Sequence, residues 1–329
     1  MGGVSGVATA LTPTLPTLDD ILAAREVIQG RVHRTPLLSS RILGERAAVR
    51  LYFKAENLQK TGSFKPRGVL NKLRHLSGED KRRGLVTISA GNHAQALAYG
   101  AATEGLHATV VMPAHASLLK VAACRAYGAE VVLGGTMHEA FERVHQLRDA
   151  RNLTLVHPFD DPHIIAGQGT VGLEIVEDLP DVDVVVVAIG GGGLISGVAS
   201  AVKSSRPGAR VFGVEPEGAP TLWTALRRNA VTRLHSIDTI ADGLTAPMAG
   251  ELTLAAVRRF VDEVVLVSDT EIREAMKAVL EYAKLVVEPA GAAGLAALLC
   301  GRLPVEPDAR VAVVLSGGNV DWQVLQSLP

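Results

Sequence analysis

Short apolar runs alternate along this chain with segments whose apolar positions recur every three or four residues. Runs at 85–89, 107–112, 129–133, 182–189, 210–214 and 310–315 place Val, Ile, Leu and Ala on nearly successive positions. Runs of that kind predict strands covered on both faces, as in parallel sheets. The segments 93–104, 118–127, 137–150, 194–204, 222–227, 271–282 and 292–299 read as helices. Strand and helix in alternation predict an α/β fold of doubly wound, mostly parallel sheets, whose ligands collect where strands end and helices begin. A boundary near Pro158 and Pro162 makes residues 18–83 with 160–329 a larger domain and 84–159 a smaller one. Residues 1–17, rich in Gly, Ala, Thr and Pro and without a basic start, read as a flexible tail and not as a secretory leader.

The stretch Thr61-Gly62-Ser63-Phe64-Lys65-Pro66-Arg67-Gly68 opens a further helix. Ser63 is a suitable N-cap, and Pro66 suits a first turn, where a missing N–H has no consequence. Val69, Leu70, Leu73 and Leu76 then share one face, so Lys65 sits on an ordered element beside a buried surface. Desolvation there lowers the pKa of an amine and makes it a nucleophile able to form a Schiff base. An ordinary surface lysine at a helix start fits this segment equally well.

Composition narrows the partners. The chain has 329 residues, 47% of them hydrophobic, enough for two domains with real cores. With 33 basic and 34 acidic residues it presents no electrostatic footprint for nucleic acid or an anionic membrane. The apolar run 184–189 is far too short to span a bilayer. Cys124 and Cys300 lie far apart in Ala-rich helical stretches and read as two buried thiols of a reduced, cytoplasmic protein. The apolar content of the helices predicts a homodimer or homotetramer.

Three polar loops fall at predicted strand ends. Ser89-Ala90-Gly91-Asn92-His93 precedes a helix, where N–H groups can cradle a carboxylate; a tight turn with Asn and His as caps is the plain alternative. Gly190, Gly191, Gly192 and Gly193 follow the run 184–189. Consecutive glycines are entropically unfavourable, and naked N–H groups turned toward a phosphate are the common reason for them. The lysine of a nucleotide-triphosphate loop is absent, and only Glu215 offers the acid that a dinucleotide fingerprint needs. Ser316-Gly317-Gly318-Asn319 presents a hydroxyl that could lie beside a ligand ring, or forms a plain turn.

Taken in order, these segments resemble the fold-type II (tryptophan synthase beta-like) pyridoxal-phosphate enzymes, in particular the threonine/serine dehydratase and serine racemase branch. The resemblance runs from about Ile21 to Val324. It adds Ala166-Gly167-Gln168-Gly169-Thr170, Ile240-Ala241-Asp242-Gly243 and Glu288-Pro289-Ala290-Gly291 to the motifs above. It implies pyridoxal 5'-phosphate bound by the larger domain, with the smaller one closing over a small β-hydroxy amino acid. Lys65 is similar to the lysine that carries the cofactor, and Gly190 to Gly193 resemble its phosphate cup. Asn92 matches the partner of the phenolic oxygen, Phe64 the residue against the ring, and Ser316 the partner of the pyridine nitrogen. Gly243 and Glu288 match pocket-lining positions. Ser89, Ala90, Gly91, Asn92 and His93 match the substrate loop.

A neutral hydroxyl at Ser316 would leave the ring a weak electron sink, which favours β-elimination over transamination. The expected activity is therefore a lyase reaction, dehydration of L-threonine or L-serine to a 2-oxo acid and ammonia, with Lys65 removing the Cα proton. Racemases of the branch carry serine where this chain has Ala90, which argues for elimination. Rival readings are a serine racemase, a 3-hydroxyaspartate dehydratase or racemase, a β-replacement synthase, a nucleotide-dependent oxidoreductase and a non-catalytic binding module. Relatives with a divalent site use three positions that here read Glu215, Ala219 and Thr221, so no metal is expected. The chain leaves no room after Asn319 for a regulatory domain, as in short catabolic forms. His157, Asp160, Asp161 and His163 read as solvated turn residues.

Overall fold

The computed structural model describes residues 14–114 and 116–329, and the tail reading for residues 1–13 lies outside the described residues. Ten strands form two sheets: β1 (Leu37–Ser39), β2 (Arg50–Lys54), β3 (Leu85–Ile88), β4 (Ala108–Met112), β5 (Glu130–Leu133), β6 (Thr154–Leu155), β7 (Val184–Ala188), β8 (Arg210–Pro216), β9 (Glu263–Val267) and β10 (Arg310–Val314). The six-stranded sheet has the order β1-β2-β10-β7-β8-β9, and the four-stranded sheet β5-β4-β3-β6. Every pairing is parallel except that of β1 with β2. The smaller sheet is built wholly from residues 85–155. The fold class is the α/β, mostly parallel one that the apolar runs predict.

The runs behave as their composition dictates. Every residue of β7 is buried, because helices cover both faces of its sheet. Strands β1, β2, β6 and β9 escape prediction. They are short, or begin or end on Arg, Lys or Glu, and β1, β6 and β9 lie at sheet edges. The helices Leu18–Ile28, Pro162–Asp178 and Glu251–Phe260 are also unpredicted. Pro162–Asp178 is buried almost all round over Ile164 to Ile175, so it shows no amphipathic stripe. Asp161 caps it by accepting from the N–H groups of His163 (2.9 Å) and Ile164 (3.2 Å).

That central helix positions two others by close backbone approach. A Cβ on Gly167 would stand 2.6 Å from both the Arg67 carbonyl oxygen and Gly68 Cα, on the helix Lys65–His75. A Cβ on Gly197, in the helix Gly193–Ser205, would strike the Ile165 carbonyl and stand 2.5 Å from Gly169 N. The lysine-bearing helix and the helix after the glycine loop are thus registered on one rod.

Three local expectations are corrected. Ser63 does not cap the helix Lys65–His75: Phe64 occupies the cap position, and the fully buried Ser63 hydroxyl has no partner among the described residues. Cys124 is buried but Cys300 is exposed, because Cys300 lies just past the end of the helix Pro289–Leu299. The helix expected over 271–282 runs from Asp269 to Ala278 and then widens into a π-turn, Val279–Ala283, closed by Lys284 at φ 58°. Among the described residues, no helix is long and apolar enough to cross a membrane.

Candidate active site

The loops that leave the carboxyl ends of β3, β6, β7 and β10 meet the start of the helix Lys65–His75. The Phe64 N–H donates to the Ser316 carbonyl (3.1 Å) and the Gly318 N–H to that of Gly62 (2.9 Å). Ser63 and Gly317 form a bridge between the two segments. Lys65 Nζ donates to the Pro158 carbonyl (2.9 Å), beyond β6, and lies 5.1 Å from the centre of the Phe64 ring. Burial pulls the Lys65 amine down to about 8, against the opposing pull of the Glu288 charge. At neutral pH it holds about 300 times more free base than a lysine at 10.5.

Beneath Lys65 lies a buried charge cluster. Arg67 spans Glu56 (Nε–Oε2 2.8 Å, Nη2–Oε1 2.8 Å) and Glu174 (Nη1–Oε1 2.7 Å, Nη2–Oε2 2.8 Å). Lys54 Nζ stands 2.6 Å from Glu174 Oε2 and donates to the Thr35 carbonyl at 2.6 Å. The two cations and two carboxylates balance, so the first turn of the helix is held by bidentate contacts.

Glu288 anchors the opposite wall. Its Oε1 accepts from Asn92 Nδ2 (2.5 Å), and Asn92 Oδ1 in turn accepts from Asn319 Nδ2 (2.8 Å). Glu288 Oε2 is buried with no partner among the described residues. Burial pushes its carboxyl up to about 7, while the Lys120 charge acts against the shift. A Cβ on Gly317 would strike Glu288 Oε1, and one on Gly243 would stand 2.9 Å from Ala290 Cβ and 3.7 Å from Glu288 Oε1. Ser316 is buried, and its hydroxyl donates only weakly, to the Ala290 carbonyl at 3.4 Å.

The glycine loop lies between Phe159, Gly243 and Thr253. A Cβ on Gly193 would stand 2.9 Å from both Cβ and the carbonyl oxygen of Phe159, one on Gly191 would enter the Phe159 ring, and one on Gly190 would stand 3.1 Å from the Gly243 carbonyl. Gly192 adopts φ 93°, which disfavours any side chain. Among the described residues, the N–H groups of Gly190 to Gly193 find no protein acceptor. Asp160 fixes the far side by accepting from the Thr253 N–H (3.1 Å).

The loop Ser89-Ala90-Gly91-Asn92-His93 leads from β3 into the helix Asn92–Glu104. The Gly91 N–H donates to Ser89 Oγ (3.1 Å), whereas those of Ala90, Asn92 and His93 have no acceptor among the described residues. His93 is buried with Nε2 3.2 Å from the Val156 carbonyl; burial, then the Lys65 charge, hold it well below the usual histidine range. The structure thus brings together Phe64, Lys65, Asn92, Gly243, Glu288, Ser316, the substrate-loop residues and the glycine loop. Glu215 stays apart: it accepts from the N–H groups of Leu222 (2.7 Å) and Trp223 (2.8 Å), at the start of the helix Thr221–Arg228.

Sequence reasoning missed Phe159, the Pro158 carbonyl and Lys120. The nearest signal for Lys120 was a single cation in the apolar first turns of the helix Leu118–Ala126. The expected solvated turn is also more engaged than foreseen. His157 Nδ1 accepts from the Asp160 N–H (2.8 Å), Asp161 pairs with Lys72 (2.6 Å), and His163 stacks on His75 at 4.0 Å.

Comparison with known proteins bears on the same region. The family described as pyridoxal-phosphate dependent enzyme matches residues 28–317. An L-threonine ammonia-lyase of Thermotoga maritima is 48% identical over 95% of this chain and 78% of its own. The structure of a threonine deaminase from T.th. superposes with a TM-score of 0.87 at 44% identity, covering 93% of this chain and 99% of that one. The structure of maize serine racemase gives 0.91 at 38% identity, covering 95% and 96%.

Proposed function

The chain belongs to the pyridoxal-phosphate-dependent enzyme family, and on that premise we propose that it is a dehydratase converting L-threonine or L-serine to a 2-oxo acid and ammonia. The residues present fit the cofactor. The partnerless Oε2 of Glu288 and the partnerless hydroxyl of Ser63 are buried polar atoms, and with the unclaimed N–H groups at Gly190 to Gly193 they call for a polar guest. In this reading Lys65 carries the cofactor, the glycine loop holds its phosphate, Phe64 lies against the ring, Ser316 meets the ring nitrogen, and Asn92 meets the phenolic oxygen. Gly243 and Glu288 line the remainder. When bound, the cofactor supplies an electron sink that acidifies the Cα–H bond of an amino acid.

The protein's own groups do the rest. The free N–H groups of Ala90, Asn92 and His93 orient the substrate carboxylate. The Lys65 amine, free once the substrate's amino group has taken its place, takes the Cα proton. Phe64 and Phe159 exclude water from that face. Residues 18–83 and 160–329 carry the cofactor in this reading, and 84–159 closes over the substrate. The enzyme is further proposed to be cytoplasmic and a homodimer or homotetramer. Supporting self-association, the exposed Ile42 and Tyr282 share one shallow hollow.

The observation that carries the reading is the Lys65 amine, lowered to about 8 by desolvation and held 2.9 Å from the Pro158 carbonyl. It stands next to Phe64, whose N–H donates to the carbonyl of Ser316, the neutral residue that this reading sets at the ring nitrogen. The test is purified protein with pyridoxal phosphate, following 2-oxo acid from L-threonine, L-serine and L-threo-3-hydroxyaspartate beside Lys65→Ala. Oxo acid that disappears with the lysine is expected. The likeness to maize serine racemase favours a second reading. D-Serine formed without oxo acid would establish it and overturn the first.

A further inference from the structure

The loop proposed to receive the substrate carboxylate has no charge of its own. Its residues are Ser, Ala, Gly, Asn and a histidine held neutral by burial. A carboxylate brought there exchanges its water shell for N–H groups alone, which is poor compensation for a buried charge. One cation does reach the spot. Lys120 is 5% exposed, and a Cβ on Gly91 would stand 3.6 Å from its Nζ and 3.9 Å from its Cδ. The ammonium therefore lies against the loop. On its other side it meets Asp242 Oδ2 at 2.5 Å, in the segment that also contributes Gly243. Its charge also acts on the Glu288 carboxyl across the pocket. The pair is lopsided: the lysine side chain is 6% exposed and the aspartate side chain 52%. Asp242 can turn to water with little loss, whereas Lys120 is held among buried atoms.

We propose that Lys120 is the specificity-determining cation for the α-carboxylate of the substrate, resting on Asp242 until that carboxylate arrives. This deepens the dehydratase reading and rests on it for the ligand being an amino acid. A carboxylate docked on Ser89 to His93 takes over the lysine, and Asp242 is released to solvent. The site then discriminates against ligands that keep the amino group and β-hydroxyl but lack the negative charge.

The test compares L-threonine with L-threoninamide in wild type, Lys120→Met, Lys120→Arg and Asp242→Asn holoenzymes. Two readouts are used: KM and kcat of turnover, and the rise in melting temperature that each ligand produces in a Lys65→Ala background. Lys120→Met is expected to raise the KM for threonine roughly 30-fold, the size of one charge-assisted contact, with kcat nearly unchanged and the amide unaffected. Lys120→Arg keeps the preference for the acid, and Asp242→Asn leaves the threonine KM equal or lower.

The proposal fails if Lys120→Met weakens acid and amide alike. It fails equally if Asp242→Asn raises KM as Lys120→Met does, because the pair is then a structural tie. A loss confined to L-threo-3-hydroxyaspartate would assign the cation to a side-chain carboxylate and also overturn it. Asp242→Asn and Lys120→Arg decide the matter should Lys120→Met not fold. If wild type releases no oxo acid, the dehydratase reading falls by itself, and the melting shifts still judge Lys120.

Discussion

Replacing Arg67 by Met removes the group that spans both carboxylates of the buried cluster. Arg67 and Glu56 are fully buried, and the Glu174 side chain is 8% exposed. Loss of the guanidinium leaves two carboxylates facing Lys54 alone. Breaking a buried pair by deleting one partner destabilises by about 3–5 kcal/mol, chiefly because the remaining charge is uncompensated. At ~1.5 °C per kcal/mol for a chain of 329 residues, the melting temperature of the apoprotein is expected to fall by about 4–8 °C. The double variant Arg67→Met with Glu56→Gln is more informative, because it leaves Lys54 and Glu174 as a neutral pair at 2.6 Å. It is expected to regain about 1–3 kcal/mol over Arg67→Met alone. The sign with pH follows. In Arg67→Met the stranded carboxylate has a raised folded-state pKa, so its contribution is greatest in acid and is lost as pH rises. The single variant should therefore lag further behind wild type at pH 8 than at pH 5. Scanning calorimetry of the three proteins at both pH values checks this. A single variant within about 2 °C of wild type, or a double variant as unstable as the sum of its parts, would refute the reasoning.

Three further outcomes are expected. Glu288, raised from 4.5 to about 7 by burial, binds its proton more tightly folded than unfolded. Its contribution is thus full below pH 4.5 and is lost as pH rises through 7; apoprotein stability should drop about 3 kcal/mol relative to Glu288→Gln across that window, and a constant difference in urea midpoints would contradict it. Gly193→Ala forces a Cβ to 2.9 Å from the Phe159 carbonyl oxygen, which side-chain motion cannot relieve. Cofactor affinity by absorbance titration should fall about tenfold or more, with ~1–3 kcal/mol of lost stability, and parental affinity would remove the loop from the phosphate site. Ala90→Ser restores an exchangeable proton to the substrate loop, so a chiral assay should detect D-serine that the parent does not make. D-Serine from the parent itself would show the Ala90 argument to be wrong.

The parallel α/β class was legible because β7 and β10 are continuous Val-rich runs that only a doubly covered sheet can bury. The glycine loop and the Lys65 helix were legible as motifs, since each departs from what ordinary turns require. Pro162–Asp178 was not: a helix buried all round has no polar face to set a period. Lys120 was hidden for a different reason. Its neighbours Gly91 and Asp242 lie 29 positions before it and 122 after it, and nothing local marks a cation whose partners are supplied by the fold. Ser63 misled because its neighbourhood reads as a capping sequence, while the strand-like bridge to Gly317 turns its hydroxyl inward.

The glycine loop has one more consequence. Its free N–H groups belong to the main chain, so they have no protonation equilibrium in the range where proteins survive, and among substitutions only proline deletes one. From neutral pH upward, where a phosphate is already a dianion, grip on it there should hold steady while the proton chemistry at Lys65 and Glu288 rises and falls. Variation can weaken that grip by intrusion, through a side chain that occupies the hollow, or by a proline that removes a donor, but not by a change of charge. The part of the site that retains the guest is therefore hereditarily stiff, and the part that reacts is free to change.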